Sequence, residues 1–443
     1  MSRVLGIELR RSAAAGTALL LAAAGALLLY FTAEAMFSAG WMQLAMTQRL
    51  FLAVLWPLAL AAGAWQATRD RRSGVTELFA STPRPRASRV APTLVTMAIA
   101  VFAGYLAMGI AGSLRIIGTA EYLPVQFVTV TAVGLLALIA AVWLGMAAGR
   151  ALPWLVTAPA LAVAGLGLLL LIPGATRPRG WLALVFSPIY EMNMPDDYAT
   201  VPFRASVSQA VWLAALAVTA VLLFVADSRR LRVAAVLPVV LGAALAITVM
   251  PHQDRYVTGA VDPVARDLVC DEDDPRVCVS RVHTGLLPEI VGPARDALTA
   301  LAQLPGAPAT VHEDTTTYIP DVYPPWRTDV TMFRVEVGKD GHLVDPDSVL
   351  PEVVAGAFAS PPDCEDRSAR MADRYAAAHW LIGSEPVAPE TSPAEMAEVP
   401  YVAEAVEIWR GLQTMPDAEA QARVERLRKD ALACTVDGGL SKP

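Results

Sequence analysis

The sequence predicts an α-helical polytopic membrane domain of about seven transmembrane helices, followed by a C-terminal α+β extracytoplasmic domain. Three observations predict it. The 443 residues are 55% AVILMFWYC and only 17% charged, with a mean hydropathy of +0.45, which excludes an ordinary soluble enzyme. Apolar runs of spanning length recur through the first 250 residues. The charge then splits: residues 1 to 251 hold 18 Arg, no Lys and 9 acids, whereas residues 252 to 443 hold 17 Lys+Arg and 33 acids. The first half nets +9 and the second −16, and all four cysteines lie in the acidic half. Arginines set between apolar runs, followed by an acidic domain that repels phosphates, also exclude a nucleic-acid partner.

The hydrocarbon core needs roughly 17 to 25 residues of helix at 1.5 Å each. The runs that meet this are Ser12 to Ala33, Leu50 to Trp65, Pro92 to Gly112, Phe127 to Ala148, Pro153 to Ile172, Val207 to Ala226 and Val233 to Met250. The second is the shortest and borrows residues from its flanks. Pro57, Pro159 and Pro238 fall inside spans and imply kinks that neighbouring helices tolerate. The first run imitates a secretory signal, with Arg3, Arg10 and Arg11 ahead of it and Ala33-Glu34-Ala35 behind. It is longer than the roughly 7 to 15 residues of a signal core, so an uncleaved helix is expected.

Arginine placement sets the orientation. With the N-terminus cytoplasmic, 13 arginines lie inside, among them Arg69, Arg71, Arg72, Arg84, Arg86, Arg89, Arg150, Arg229, Arg230 and Arg232. Five lie outside: Arg49, Arg115, Arg177, Arg179 and Arg204. The positive-inside rule therefore predicts a multi-pass plasma-membrane protein with residues 252 to 443 outside. Oxidising conditions suit Cys270, Cys278, Cys364 and Cys434. Of the three possible connectivities, Cys270 with Cys278 and Cys364 with Cys434 is favoured, because the Asp271 to Pro275 turn closes the first pair locally. Zinc is the competing reading, disfavoured by the absence of Cys-x2-Cys and by five His at unrelated spacings.

The exterior domain starts with strands. Val277 to His283 is apolar and β-branched, and Phe333, Val335 and Val337 alternate with Arg334 and Glu336 before the hairpin signal Gly338-Lys339-Asp340-Gly341 leading to Leu343 and Val344. Helices follow: Asp366 to Ile382; one with Val402, Val406 and Trp409 on a face; and one aligning Val424, Leu427, Ala431 and Cys434, started by Thr414, Pro416 and Asp417 in a box-like spacing. A buried Cys434 on that core face suits the bond to Cys364. The Pro-rich stretch Pro386 to Pro393 is the one linker-like segment.

Catalytic signatures are missing. There is no G-x-x-x-x-G-K-[ST], H-E-x-x-H, G-x-S-x-G or G-x-G-x-x-G, so no enzyme activity and no cofactor is expected. His312-Glu313-Asp314 reads as solvated surface, and His283 and His379 read as core or interface histidines. Glu34 is the one ionisable candidate within the spans, where a snorkelling position suits it. A transporter without its own charge relay must draw work from a partner. The cytoplasmic loop Ala67 to Val90 carries a short amphipathic helix, with Val75, Leu78 and Phe79 on one side, Glu77 within it, Arg69, Arg71 and Arg72 before it, and Ser81-Thr82-Pro83 ending it. It suits docking to a protein or lying on anionic lipid.

With these features the chain resembles the ABC-2 type permeases, the membrane subunits of ABC exporters. Leu5 to Arg11, LGIELRR, resembles the elbow helix ahead of the first span. Arg71-Arg72-Ser73-Gly74, Glu77-Leu78 and Ser81-Thr82-Pro83-Arg84 resemble the coupling region between spans two and three. The six-span count up to Ala226 and the loop from Pro173 to Ser206, apolar around Trp181 to Phe186 and Ile189-Tyr190, match the family's layout and its short re-entrant helices between spans five and six. The resemblance covers residues 1 to about 230. It implies a six-span permease domain over 1–232, to which a seventh helix at 233–251 and the domain at 252–443 are additions. It also implies a separate ABC ATPase partner bound through Arg71, Arg72, Glu77, Leu78 and Phe79, and pairing with a second copy or a sister permease in the bilayer. Some relatives carry an exterior M1-type metallopeptidase; this chain lacks the zinc motif and the length for one. The alternative function is a non-transporting membrane anchor with an exterior sensing or binding domain.

Overall fold

Long apolar runs leave a backbone in lipid only the helix as a way to satisfy its own N–H and C=O groups, and the long apolar runs among the described residues are helical. The computed structural model describes residues 12–32, 36–69, 86–189, 196–252, 261–318, 321–387, 400–437 and 439–441. The chain divides into two units, Met1–Ile117 with Leu123–Asp262, and Gly118–Tyr122 with Pro263–Pro443.

The first unit is helical: α1 (Ala14–Phe31), α2 (Trp41–Leu50), α3 (Leu52–Ala67), α4 (Arg86–Ile116), α5 (Val125–Ala151), α6 (Thr157–Ala175), α7 (Gly180–Phe186), α8 (Phe203–Val225), α9 (Arg229–Ala234) and α10 (Leu237–Val249). Among the described residues six helices are long and apolar enough to cross a membrane, counting Arg229–Val249 as one; there are seven if the pair α2 and α3, bent by 52°, is also one span. The second run of the sequence therefore falls on α3, the longer member of a bent pair that starts at Trp41 and reads as a broken span or a re-entrant loop. Pro57 sits inside α3. Pro159 does not kink a span as expected: it is the third residue of α6, a first-turn position where the missing N–H has no intrahelical partner to lose. Pro238 follows the break at Ala235 and Val236 that divides the Arg229–Val249 span into α9 and α10.

In this unit α1 packs on α4, α3 on α5 and α6, and α8 on α5 and α10. The α3–α5 pair approaches to backbone contact: a Cβ added at Gly63 would lie 2.0 Å from Val142 O, and one at Gly145 2.0 Å from Leu60 O. Small residues at such a crossing let dispersion and weak polar contacts replace the hydrophobic drive that lipid does not supply.

The second unit is α+β. It adds α11 (Pro263–Arg266), β1 (Leu268–Cys270), β2 (Val277–Ser280), a 3₁₀ turn (Arg281–Leu286), α12 (Leu287–Leu301), β3 (Thr310–Glu313), β4 (Thr317–Tyr318), β5 (Asp321–Val322), β6 (Val330–Phe333), α13 (Val349–Gly356), α14 (Met371–Ile382), α15 (Pro400–Gln413) and α16 (Asp417–Leu432). The sheet order is β1-β2-β3-β6, with β1–β2 antiparallel and the other two pairings parallel. All of β2 is buried, as a central strand of a covered sheet must be. Ile290, Ala294, Ala297 and Leu301 of α12 and Val349, Val353 and Val354 of α13 enter the same core as Val277, Val279 and Val311.

Cys270 stands opposite Cys278 in the β1–β2 register and is bonded to it at 2.00 Å. Asp271 steadies the intervening turn by accepting from Val277 N at 2.8 Å and pairing with Arg295 of α12. Cys364 is bonded to Cys434 at 1.95 Å. Cys434 is not on the core face of α16, because the helix ends at Leu432. Cys434 follows with φ 54° while Thr435 N reaches Asp430 O at 2.9 Å, a left-handed C-terminal cap that turns the thiol off the helix face.

Other expectations shift for similar local reasons. Thr414 hydroxyl bonds back to Gly411 O at 2.8 Å and does not cap α16. The expected helix from Asp366 begins at Met371, after a 3₁₀ turn at Pro362–Arg367. The buried face of α15 is Val402, Ala405, Ile408 and Leu412, with Trp409 only packed against its edge. The strand expected through Val337 stops at Phe333, leaving a single bridge between Val337 and Leu343 around the Gly338 to Gly341 turn.

Candidate functional site

Helix α2 is the least apolar of the helices packed into the first unit, yet every residue from Met42 to Arg49 is buried, Gln43, Thr47, Gln48 and Arg49 included. Polar side chains all round a buried helix need partners inside the protein. Arg49 was expected in an exterior segment. It is 1% exposed and the largest fully buried side chain among the described residues. Its Nε and Nη2 donate to Pro188 O at 3.0 and 2.6 Å, and Nη2 also donates to Gln209 Oε1 at 3.0 Å.

Those partners surround the end of α7. Gln209 Nε2 donates to Leu184 O at 2.8 Å, and Trp212 Nε1 to Phe186 O at 3.3 Å. The last carbonyls of a helix lack intrahelical donors and carry partial negative charge. Here a guanidinium, an amide and an indole hold the terminal carbonyls of α7 and the chain just beyond. The same short helix buries Leu184 and Val185 in an apolar cluster with Met42, Met46 and Val130. Gly134 of α5 makes room for the Tyr105 ring and the Arg49 stem: a Cβ there would lie 2.3 Å from Tyr105 Oη and 2.9 Å from Arg49 Cδ. Ser208 of α8 donates to Ala246 O at 2.7 Å, tying α10 to the same neighbourhood. The arrangement contains no activated nucleophile. It holds a short helix between two long ones through hydrogen bonds to the carbonyls at and beyond that helix's end.

The C-terminal unit holds a second buried constellation. Glu313, expected on a solvated surface with His312 and Asp314, is buried at the end of β3. Its Oε1 meets His283 Nδ1 at 2.7 Å and its Oε2 accepts from Ser280 N at 2.7 Å, while Ser280 Oγ lies 3.2 Å from the same Nδ1. A hydrolytic triad needs the serine and the acid on opposite ring nitrogens. Here both address Nδ1, so the group ties β2, β3 and the 3₁₀ turn together. His312 is half-buried, and burial first, then Arg327, holds its imidazole below the usual range. His379 is buried in α14, as expected of a core histidine. Among the described residues no group of three or more His, Cys, Asp or Glu is placed to hold a metal ion.

Glu352 of α13 adds a titration. Burial, then the nearby carboxylates Glu336 and Asp345, push its carboxyl up to about 8. An unfolded Glu titrates near 4.3, so the folded form retains a proton that the unfolded form releases across that window. The contribution is fully present below about pH 4.3 and lost as pH rises towards 8. Glu352→Gln is therefore expected to stabilise the full-length protein at pH 8 and to flatten its melting temperature between pH 5 and 8 relative to wild type. Parallel pH profiles of the two proteins in thermal unfolding would refute the assignment.

Of the residues singled out for coupling, Arg71, Arg72, Glu77, Leu78 and Phe79 lie outside the described residues, as do Leu5 to Arg11 and Glu34. The four cysteines are bonded in the favoured pairs. Sequence reasoning passed over Arg49, Gln209 and Trp212. The available signal was Gln43, Thr47, Gln48 and Arg49 abutting an apolar run, because an ionisable group beside or within a span is a functional candidate by default. No protein-family model, curated protein or solved structure matches this chain.

Proposed function

We propose that the chain is a permease-like transmembrane subunit of an ABC exporter, energised by a separate ATPase subunit and paired with a second copy or a sister permease. The observation that carries this reading is α7, a short helix between the long helices α6 and α8, packed among them and held by Arg49, Gln209 and Trp212. A re-entrant helix at that point of the order is the layout expected of an ABC-2 permease. Four candidate spans separate Tyr122 from Pro263, an even number, which returns the chain to the side it left, as the expected topology requires.

The mechanism is mechanical. Closure of the ATPase subunits pushes on the segment around Arg71 to Phe79. Helix α3 begins at the Arg49 joint and runs to the near side of that segment, and its backbone contact with α5 makes the two helices move together. The push thereby reaches α7 and opens the exterior end of the path.

Replacing Glu77 and Leu78 together with Ala removes a charged contact and an apolar anchor, a loss of roughly 1.5 to 3 kcal/mol if Leu78 is buried at the interface, or about tenfold per 1.4 kcal/mol. Recovery of an ABC ATPase encoded beside this chain is expected to fall accordingly when the variant, rather than wild type, is the bait. Equal recovery by both proteins would end the docking hypothesis and favour the anchor with an exterior sensing or binding domain.

A further inference from the structure

Helix α9 is six residues long, none of them buried. Ser228 starts it by accepting from Leu231 N at 3.2 Å, and the chain then turns at Ala235 and Val236 into the apolar α10. Arg229, Arg230 and Arg232 are all exposed, and among the described residues none of them has a side-chain hydrogen bond or an ion pair. Arg150 behaves differently. It donates to Ala226 O at 3.1 Å, contacts Phe224 O and meets Asp227 Oδ1 at 3.2 Å, so it is spent on fastening the end of α5 to the end of α8.

That fastening sets the level at which α9 lies. The chain leaving α5 exposes Trp154 by 64% and Leu155 by 76%, and the chain leaving α8 exposes Leu231 by 58% and Val233 by 68%. Both stretches start from the end of the unit that Arg150 ties together. Exposed Trp and aliphatic side chains at the end of a span mark the headgroup level of a bilayer. Arginines interleaved with them reach the phosphates while their stems rest on apolar surface.

We infer that α9 is a binding surface for anionic phospholipid headgroups, read by Arg229, Arg230 and Arg232. Charge complementarity selects the sign of the partner. The uncovered Leu231 and Val233 beside the arginines select a membrane leaflet over a soluble anion or an acidic protein loop, because a soluble ligand leaves those side chains in water.

The test is lipid retention by the full-length protein in detergent, incubated with equimolar phosphatidylglycerol and phosphatidylcholine and read by native mass spectrometry. Each arginine near an anionic surface contributes about fivefold. The triple R229Q/R230Q/R232Q is therefore expected to lower phosphatidylglycerol retention by about a hundredfold, and the single R230Q by about fivefold. The exposed single site keeps the test valid even if the triple variant folds poorly. The charge-matched triple R177Q/R179Q/R204Q, also at exposed positions, is expected to retain the lipid preference of wild type. Three outcomes overturn the inference: no phosphatidylglycerol preference in wild type, an equal loss in both triple variants, or displacement of the lipid by excess glycerol phosphate, which would make this a soluble-anion site.

Discussion

Arg49→Met is expected to lower the stability of the detergent-purified protein by about 2 to 4 kcal/mol, the largest effect of a single substitution in the helical unit. Hydrogen bonds between membrane helices average under about 1 kcal/mol each, so the loss of three bonds alone would be modest. The larger part comes from what is left behind. Pro188 O loses two donors and Gln209 Oε1 loses one, and a buried polar group without its partner costs about 1 to 3 kcal/mol. Arg49→Lys keeps the charge but cannot span Pro188 O and Gln209 Oε1 with one planar fork, so it is expected to fall between wild type and Met. Thermal unfolding reports the order, and a cysteine pair linking α7 to α8 reports whether the joint has opened. If Arg49→Met melts together with wild type, the guanidinium is not what holds α7.

The second large effect is expected from Cys364→Ser with Cys434→Ser. That bond closes 70 residues, whereas Cys270 to Cys278 closes 8. The chain-entropy relation assigns about 4 kcal/mol to the longer loop and about 2.5 to the shorter. The strand register also holds Cys270 against Cys278 after the bond is removed, because β1 and β2 remain paired. The 364/434 variant should therefore unfold at markedly lower denaturant than the 270/278 variant, and both below wild type, in full-length protein followed by a probe in the C-terminal unit. Equal midpoints for the two variants would show that loop closure is not the source of the stabilisation.

The spans were legible because an apolar run of bilayer length carries its own instruction: backbone bonds are satisfied within the segment, and no distant residue is consulted. The same locality made the cysteine pairing legible at Asp271 to Pro275, where a turn of fixed length returns Cys278 to Cys270. Pro159 shows where locality misleads. A proline is read as a kink or as a start according to where the helix begins, and that boundary is settled by packing.

What the sequence by itself determined, then, is the run of long apolar helices, the α+β character of the C-terminal unit and the pairing of Cys270 with Cys278, all properties set by composition, period and short loops. Only the tertiary structure decided that Arg49 is interior. Its guanidinium is tolerable there because the carbonyl of residue 188 and the amide oxygen of residue 209 converge on it, and that convergence exists only once α7 is packed between its neighbours. Glu313 follows the same physics. In the chain it sits between His312 and Asp314 like any solvated acid, and it becomes a buried tie because Ser280 N and His283 arrive from β2 and the turn after it. A charged side chain is placed by the donors and acceptors that reach it, and those come from residues 30 to 160 positions away, where no local pattern can point.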